Sequence, residues 1–252
     1  MTRAAGLGLL VATFLAGQAA ACPPPSEALL FHSCWGAARA RILLLPEDTV
    51  PPPPEHARRQ LVVTGAYTAT DSRADGRPKP VGLFIHDGRT VNPNLGRMDG
   101  ILTVDRDGRG LALHHRRAVE IAGRRHALVT LPKRRAFAEA ASAAGLDVLQ
   151  SHLLVIDGRL DVSRRADAPR AVRRLIFTDA DGYAVFQTAG PATLYEAADA
   201  VRTRFSARMA LNLDMGRHDY CRLSTGESTH SCGFRGTGDT AGLSNLLAFT
   251  LP

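Results

Sequence analysis

Residues 172–216 read "VRRLIFTDADGYAVFQTAGPATLYEAADAVRTRFSARMALNLDMG", and the order of patterns within them decides the fold. Asp181 and Gly182 stand between two apolar runs, and Gly accepts the positive φ that a tight hairpin turn demands. Thr193 then opens a helix over 193–205, with Glu196 three residues on to complete a capping box. The helix delivers "MALNLD", residues 209–214, whose alternation predicts a strand ending on Asp214. A hairpin, a helix and a returning strand predict an α+β unit with antiparallel pairing.

The same grammar extends outward. "QLVVTGAY" (60–67), "PVGLFIHDG" (80–88), "GILTVDRDGRGLALH" (100–114) and "HALVTLP" (126–132) read as short strands, and the Asp-Gly turn signal recurs at Asp87, Asp107 and Asp157. A second helix, "RRAFAEAASAAG" (134–145), stops on Gly145 and delivers "SHLLVID" (151–157) as a strand. Upstream, "AARARILLLP" (37–46) predicts the first strand. Four prolines at 51–54 cannot donate to a ladder and predict an exposed extended loop. No period of 20 to 50 residues repeats, which excludes solenoids and propellers. The expected fold class is therefore α+β: a single domain over 22–252, with a mostly antiparallel, hairpin-rich sheet and two or more packed helices. Within it, 22–58 form a Pro-rich lead and the first strand.

With 252 residues, 45% of them hydrophobic and 22% charged, the chain has enough apolar material for a proper core. Its first 21 residues have one cation at Arg3, an apolar stretch and an Ala19-x-Ala21 ending, the pattern of a secretory signal peptide. The expected location is secreted or periplasmic. Cys22 follows directly, which leaves a lipid anchor on its thiol as an alternative to simple export, although Ala19 stands where Leu is usual for that cleavage. No later segment approaches the length of a spanning helix. Export permits disulfides, and the four cysteines form two local pairs, Cys22 with Cys34 and Cys221 with Cys232; of three possible connectivities the sequential one is expected.

The formal net charge of +7 comes almost wholly from Arg, with Lys79 and Lys133 the only lysines. Arg-rich composition alone accounts for this; the functional reading is attraction for acidic polymers or phosphate-bearing substrates, with the densest cluster over 106–135. Export and the lack of interleaved aromatics argue against nucleic acid. Serine-hydrolase elbows, H-E-x-x-H and phosphate loops are missing from the sequence. His218, Cys221, His230 and Cys232 could supply four zinc ligands, but their spacing fits no common zinc pattern and favours a disulfide. Asp214 alone has two readings: a carboxylate at a strand end beside a Gly, placed to hold a sugar hydroxyl or a metal, or a turn cap bonded to its own backbone.

The order of the motifs settles more than any one of them. "LVVTGAYTATDSRADGRPKPVGLFIHDGRTVNPN", then "QSHLLVIDGRL", then the stretch quoted at the outset, resembles the phosphodiester glycosidase family, over about 37–249. On that resemblance Gly65 and Tyr67 fit the first motif, while Thr64 stands in place of Asn and Ala66 in place of Gly. Pro80, Val81, Gly82 and Leu83 fit, as do Asp87 and Gly88. Gln150 and Ser151 fit, with His152 replacing a Gly. Arg173 fits the arginine that opens a hairpin. Leu213, Asp214 and Gly216 fit the last motif, with Met215 in a Gly position and Arg217, His218 and Asp219 displacing Gly and Ser.

The resemblance implies a sugar 1-phosphodiester in envelope or extracellular polysaccharide as substrate. Asp214 and Arg173 are then the expected catalytic residues. Thr64, Gly65, Tyr67, Gln150, Ser151, Asn212 and Gly216 are expected to bind substrate. His218, not a family residue, is added as a proton donor or acceptor near neutral pH. No cofactor is implied, with a divalent cation left open. The alternative is a non-catalytic glycan-binding or envelope-structural protein that keeps the fold with an eroded site. If the assignment holds, Thr64, Gln150, Arg173 and Asp214 converge on one open pocket, and scatter would count against both the alignment and the site.

Overall fold

The computed structural model describes residues 28–34, 36–55, 58–70, 76–226 and 228–251. The expected signal peptide and Cys22, and with it the Cys22–Cys34 pairing, lie outside the described residues. The fold is α+β, a single domain made mostly of antiparallel strands in several sheets with two helices, as expected.

Three sheets carry the architecture. The first runs Leu29–Cys34, Gly182–Gln187, Arg174–Thr178, Met209–Asn212, Leu153–Ile156, Arg159–Leu160 in spatial order. The second runs Arg89–Asn92, Phe84–His86, Asp147–Ser151, Gly100–Val104, Leu111–His115. The third runs Ser228–Ser231, Cys221–Thr225, Arg59–Thr64, Asn245–Thr250, Arg39–Leu44. Two ribbons, Thr68–Thr70 with Pro78–Pro80 and Val119–Ile121 with Arg124–His126, complete the strands.

Period-two alternation explains why the sheets bury both faces. Ile42, Val63, Leu102, Leu149, Ile176, Val185, Leu211 and Phe249 point from the three sheets into one shared core. Their sequence neighbours point outward and need separate cover. On the first sheet Leu175, Phe177 and Phe186 are covered by helix α2, Leu194–Phe205, through Ala197, Ala198 and Val201. On the second, Ile85, Ile101 and Val148 are covered by helix α1, Leu131–Ala143, through Phe137 and Ala141. On the third, Leu43, Val62 and Leu246 pack with Tyr220 and Leu243. No helix among the described residues is long and apolar enough to cross a membrane.

Local signals worked where they had a mechanism. Thr193 and Glu196 form the expected capping box of α2. Asp87-Gly88 and Asp157-Gly158 both take positive φ and close two-residue hairpins, from His86 to Arg89 and from Ile156 to Arg159. Gly145 takes φ +66 just past α1, as a helix stop should. Pro51 to Pro54 lie outside any strand.

Five expectations need correction, one of them Asp107-Gly108, which sits in the longer loop 105–110 between Val104 and Leu111 and not in a tight primed turn. The first strand is Leu29–Cys34, which pairs with Gly182–Gln187, ahead of Arg39–Leu44. "HALVTLP" is not a strand: after His126 the chain turns, and α1 begins at Leu131, three residues earlier than read, because Pro132 suits the first turn of a helix. "SHLLVID" is not one strand either. Ser151 pairs with Gly100 in the second sheet and Leu153 with Leu211 in the first, so the chain changes sheet at His152. Asp181-Gly182 does not form a primed turn: its hairpin loop spans 179–182, between Thr178 and Tyr183, and Gly182 serves another purpose. A Cβ there would stand 1.8 Å from the Ser33 carbonyl oxygen, in the backbone of the neighbouring strand.

That contact is directly testable. Gly182→Ala should lower unfolding free energy by about 3 kcal/mol through overpacking, while Gly190→Ala, with nothing within 4 Å of its Cβ position, should stay close to wild type. Thermal denaturation of both variants measures the difference, and equal stabilities would contradict the close strand approach.

Candidate functional site

The site lies where the three sheets meet. Gly65 to Tyr67 leave the third sheet, Ser151 and His152 pass from the second to the first, and Asn212 to Asp214 leave the first. The chains are stitched at this seam by backbone bonds: Asp214 N donates to Gly65 O at 3.0 Å, and Asn212 N to His152 O at 2.9 Å. Asn245 fixes the first of the three strands by accepting from Ala66 N at 2.7 Å and donating to Ala66 O at 3.0 Å. Gly65 makes this possible, since a Cβ would meet Asn245 Oδ1 at 2.6 Å.

Asp214 is buried, with 6% of its surface exposed. Its Oδ1 accepts from Met215 N at 2.9 Å and its Oδ2 from Thr68 N at 3.0 Å, with His218 Nδ1 3.3 Å from Oδ2. Burial pushes its carboxyl above the usual aspartate range, against the opposing pull of these donors. The bond to Met215 N is the turn cap that the bland reading expected. The bond to Thr68 and the contact with His218 make the same carboxylate a junction between two loops.

Beside it, Asn212 Nδ2 donates to the Tyr67 hydroxyl at 2.5 Å, and Ser151 Oγ donates to Asn212 O at 2.5 Å. Burial raises the Tyr67 hydroxyl, the Asp214 carboxylate adds to the rise, and Asn212, Arg173 and Ser151 oppose it. The His152 ring meets the Tyr67 ring edge-on, with centroids 5.9 Å apart. Asn212 Oδ1 is buried and has no hydrogen-bond partner, so one end of this amide is unsatisfied.

Several of the expected binding residues have their polar atoms engaged by backbone. Thr64 Oγ1 donates to His218 O and accepts from Tyr220 N at 3.0 Å, holding the 215–220 turn. Gln150 Oε1 accepts from Leu83 N at 2.8 Å and Gly96 N at 3.1 Å, while its Nε2 donates to Met98 O at 2.6 Å. Arg173 Nε donates to Ala192 O at 3.0 Å and Nη2 to Pro169 O at 2.7 Å. Gly216 takes φ +70 and opens the short 3-10 turn Gly216–His218, a conformation Met215 is spared with its extended backbone. Thr64 and Asp214 both meet the 215–220 turn, whereas Arg173 is bonded to Pro169 and Ala192 and the Gln150 amide faces the 83–98 segment, so the four do not converge on one open pocket.

The residue that sequence reasoning missed is Arg174. It is fully buried, pairs through Nη1 with Asp219 Oδ1 at 2.7 Å, and reaches Gln187 Oε1 through Nε at 3.0 Å. Its Nη2 donates to Cys232 O at 3.3 Å, and Asp219 Oδ2 accepts from Phe234 N at 3.1 Å. Burial lowers the guanidinium's proton affinity and Asp219 counters it. Position on the strand was the available signal: Arg174 lies two residues before the inward-facing Ile176, on the same face.

The expected Cys221–Cys232 disulfide is present and closes the adjoining hairpin, 11 residues apart in sequence. It takes both thiols of the zinc alternative. No group of three or more His, Cys, Asp or Glu able to hold a metal ion occurs among the described residues.

A family model described as phosphodiester glycosidase matches residues 57–217. The chain belongs to the phosphodiester glycosidase family. The matched span contains the Tyr67, Ser151, Asn212 and Asp214 seam and stops one residue before His218. Among solved structures, the chain is similar to the zebrafish N-acetylglucosamine-1-phosphodiester alpha-N-acetylglucosaminidase catalytic domain auto-inhibited by pro-peptide. There the identity is 13%, the TM-score 0.46, and 74% of this chain and 62% of that chain are covered. It is also similar to a hypothetical protein from Synechocystis, with 14% identity, a TM-score of 0.44, and 86% and 57% covered. The chain therefore spans about three fifths of the length of these structures. A search of curated proteins finds no match.

The two neighbouring arginines of this glycosidase-family chain should separate cleanly. Arg174→Met leaves Asp219 buried without its partner and should cost about 3–5 kcal/mol, whereas Arg173→Met removes half-buried bonds to carbonyls and should cost under about 2 kcal/mol. Denaturant unfolding ranks them, and the reverse order would refute the assignment of Arg174 as the structural pair.

Proposed function

We propose that this chain is an exported hydrolase that cleaves a sugar 1-phosphodiester in envelope or extracellular polysaccharide. One observation carries the reading: a buried carboxylate at Asp214, inside the span that matches the phosphodiester glycosidase family, stands beside a Tyr67–Asn212 pair with an unsatisfied acceptor and the His218 imidazole just past that span.

The chemistry fits those groups. As the bond from the anomeric carbon to the phosphate oxygen breaks, the sugar gains oxocarbenium character, which a carboxylate stabilises. Asp214 supplies that charge from a site where little water screens it. The leaving group is a phosphate monoester, a weakly basic anion, so it asks for a cation or hydrogen-bond donors more than for an acid. Arg173, near enough to act on Tyr67, supplies positive charge. Tyr67, Ser151 and Asn212 orient hydroxyls of the sugar, and His218 accepts the proton of the attacking water.

A second reading is favoured by the packing around the same groups. Both oxygens of Asp214 accept backbone N–H bonds, and Thr64, Gln150 and Arg173 are tied to the backbone. This is what a glycan-binding protein with an eroded site would show, and turnover distinguishes the two. Incubated with a panel of sugar 1-phosphodiesters, the protein should release free sugar, and Asp214→Asn should lower the rate by about a hundredfold or more. Glycan affinity without release by the wild-type chain would establish the binding protein instead.

The acid limb of the rate gives an independent check. Activity needs Asp214 ionised, and burial raises its carboxyl, so the rate should climb with pH through a midpoint above that of an ordinary aspartate. A limb at the ordinary carboxylate position would remove Asp214 from the chemistry.

A further inference from the structure

Away from the seam, a cavity of about 620 Å³ opens between α1 and the second sheet, a volume typical of a small-ligand site. Leu83 and Pro93 line it from the side of the sheet, and Leu131 and Ala138 from the helix. The lining positions on α1 run from Leu131 to Ser142, about 16 Å along the axis at about 1.5 Å per residue. Leu131 is 48% exposed and Val129, just before the helix, 54%, so two of the three large apolar residues left open among the described residues stand at this end of α1. The apolar lining is aliphatic, with no aromatic ring among the described residues, and so suits a flexible alkyl chain better than a flat ring.

Charge enters from the helix. Arg134 and Arg135 line the cavity, and neither guanidinium has an ion-pair or hydrogen-bond partner among the described residues. Arg134 Nε is in addition buried, a donor removed from water with no acceptor in return. Glu139 is the one acid in the lining, and Thr90, Asn94 and Ser142 are neutral. Two cations against one acid leave a single positive charge, which complements a monocarboxylate and falls short of what a phosphate monoester carries. A carboxylate is also planar. The edge of a guanidinium formed by Nε and one Nη meets it through two parallel bonds, which would give the buried Nε its acceptor.

We propose that this cavity binds a medium-chain fatty acid, its carboxylate held by the Arg134 and Arg135 guanidinium groups and its alkyl chain laid against Leu83, Pro93, Leu131 and Ala138. Burial of methylene groups supplies most of the affinity, and the arginines select the head group. The site is independent of the hydrolase reading and holds whether or not the seam turns over a sugar 1-phosphodiester.

Calorimetry on the full chain with butanoate, octanoate, octyl phosphate, octylamine and octanol tests the site. Octanoate should bind saturably with a Kd below about 1 mM, and about tenfold or more tightly than butanoate. Octanol and octylamine should bind about tenfold or more weakly than octanoate, and octyl phosphate no more tightly than octanoate. Arg134→Gln with Arg135→Gln should weaken octanoate about tenfold, and Leu131→Ser about fivefold. Arg124→Ser with Arg125→Ser, on the exposed ribbon outside the cavity, should leave affinity unchanged. Every substituted side chain is at least partly exposed, so the variants should fold, and a thermal melt of each checks this; the ligand series on the wild-type chain stands without them. Absence of saturable octanoate binding, affinity independent of chain length, octanol or octylamine binding as tightly, octyl phosphate binding more tightly, or equal weakening by the ribbon control would overturn the fatty-acid site.

Discussion

A guanidinium with no access to water organises the region around the seam. Arg174 begins a strand of the first sheet, and its partners, Asp219, the Tyr220 and Cys232 carbonyls, belong to the segments that border the third. Charge in such a place is tolerated only when every donor finds an acceptor, and that demand dictates where the 215–220 turn and the Cys221–Cys232 hairpin must sit. Gln187, directly across the strand pair from Arg174, bonds both the guanidinium and the Cys232 carbonyl. The turn so held is the one that presents His218 to Asp214. Packing of the shared core alone would bring the sheets together; the polar cluster fixes how the loop lies on them.

The seam also explains why a polar site can exist beside so apolar a core. Strands that leave a sheet free their backbone groups, and those groups must find partners elsewhere. At Gly65, His152 and Asn212 they find one another, and side chains such as Asn245 and Thr64 take the remainder. The Asp214 carboxylate and the Tyr67 hydroxyl take further bonds at the same place, and among these groups the Asn212 oxygen is the one without a partner.

Much of this was legible in the sequence, where a residue's chemistry forces a local shape. Thr193 with Glu196, Asp87 with Gly88, Asp157 with Gly158 and the Cys221–Cys232 pair all announce what they do. Asp214 was legible through the order of motifs around it and not through its own neighbours. The illegible parts depend on long-range register. In Leu149 to Ile156 the polar Gln150, Ser151 and His152 interrupt the apolar residues, yet which of them marks the change of sheet follows only from long-range pairing. Arg173 and Arg174 are adjacent and chemically identical; which one is entombed follows from pairing with Gln187, 13 residues on. The Ala122-Gly123 turn, with Ala122 at φ +47, carries none of the residues that usually advertise a left-handed position.

The third sheet places Asn245–Thr250 between Arg59–Thr64 and Arg39–Leu44, and each of those partners was synthesised nearly two hundred residues earlier. This sheet therefore cannot be finished until residues 245–250 have been made, long after residues 39–64. Asn245, which clamps Ala66 at the seam, arrives with that same strand. The early strands must wait with their edges unpaired, a slow and aggregation-exposed topology. Asn245–Thr250 thus acts as a keystone for this sheet, and the clamp on Ala66 forms only when it docks.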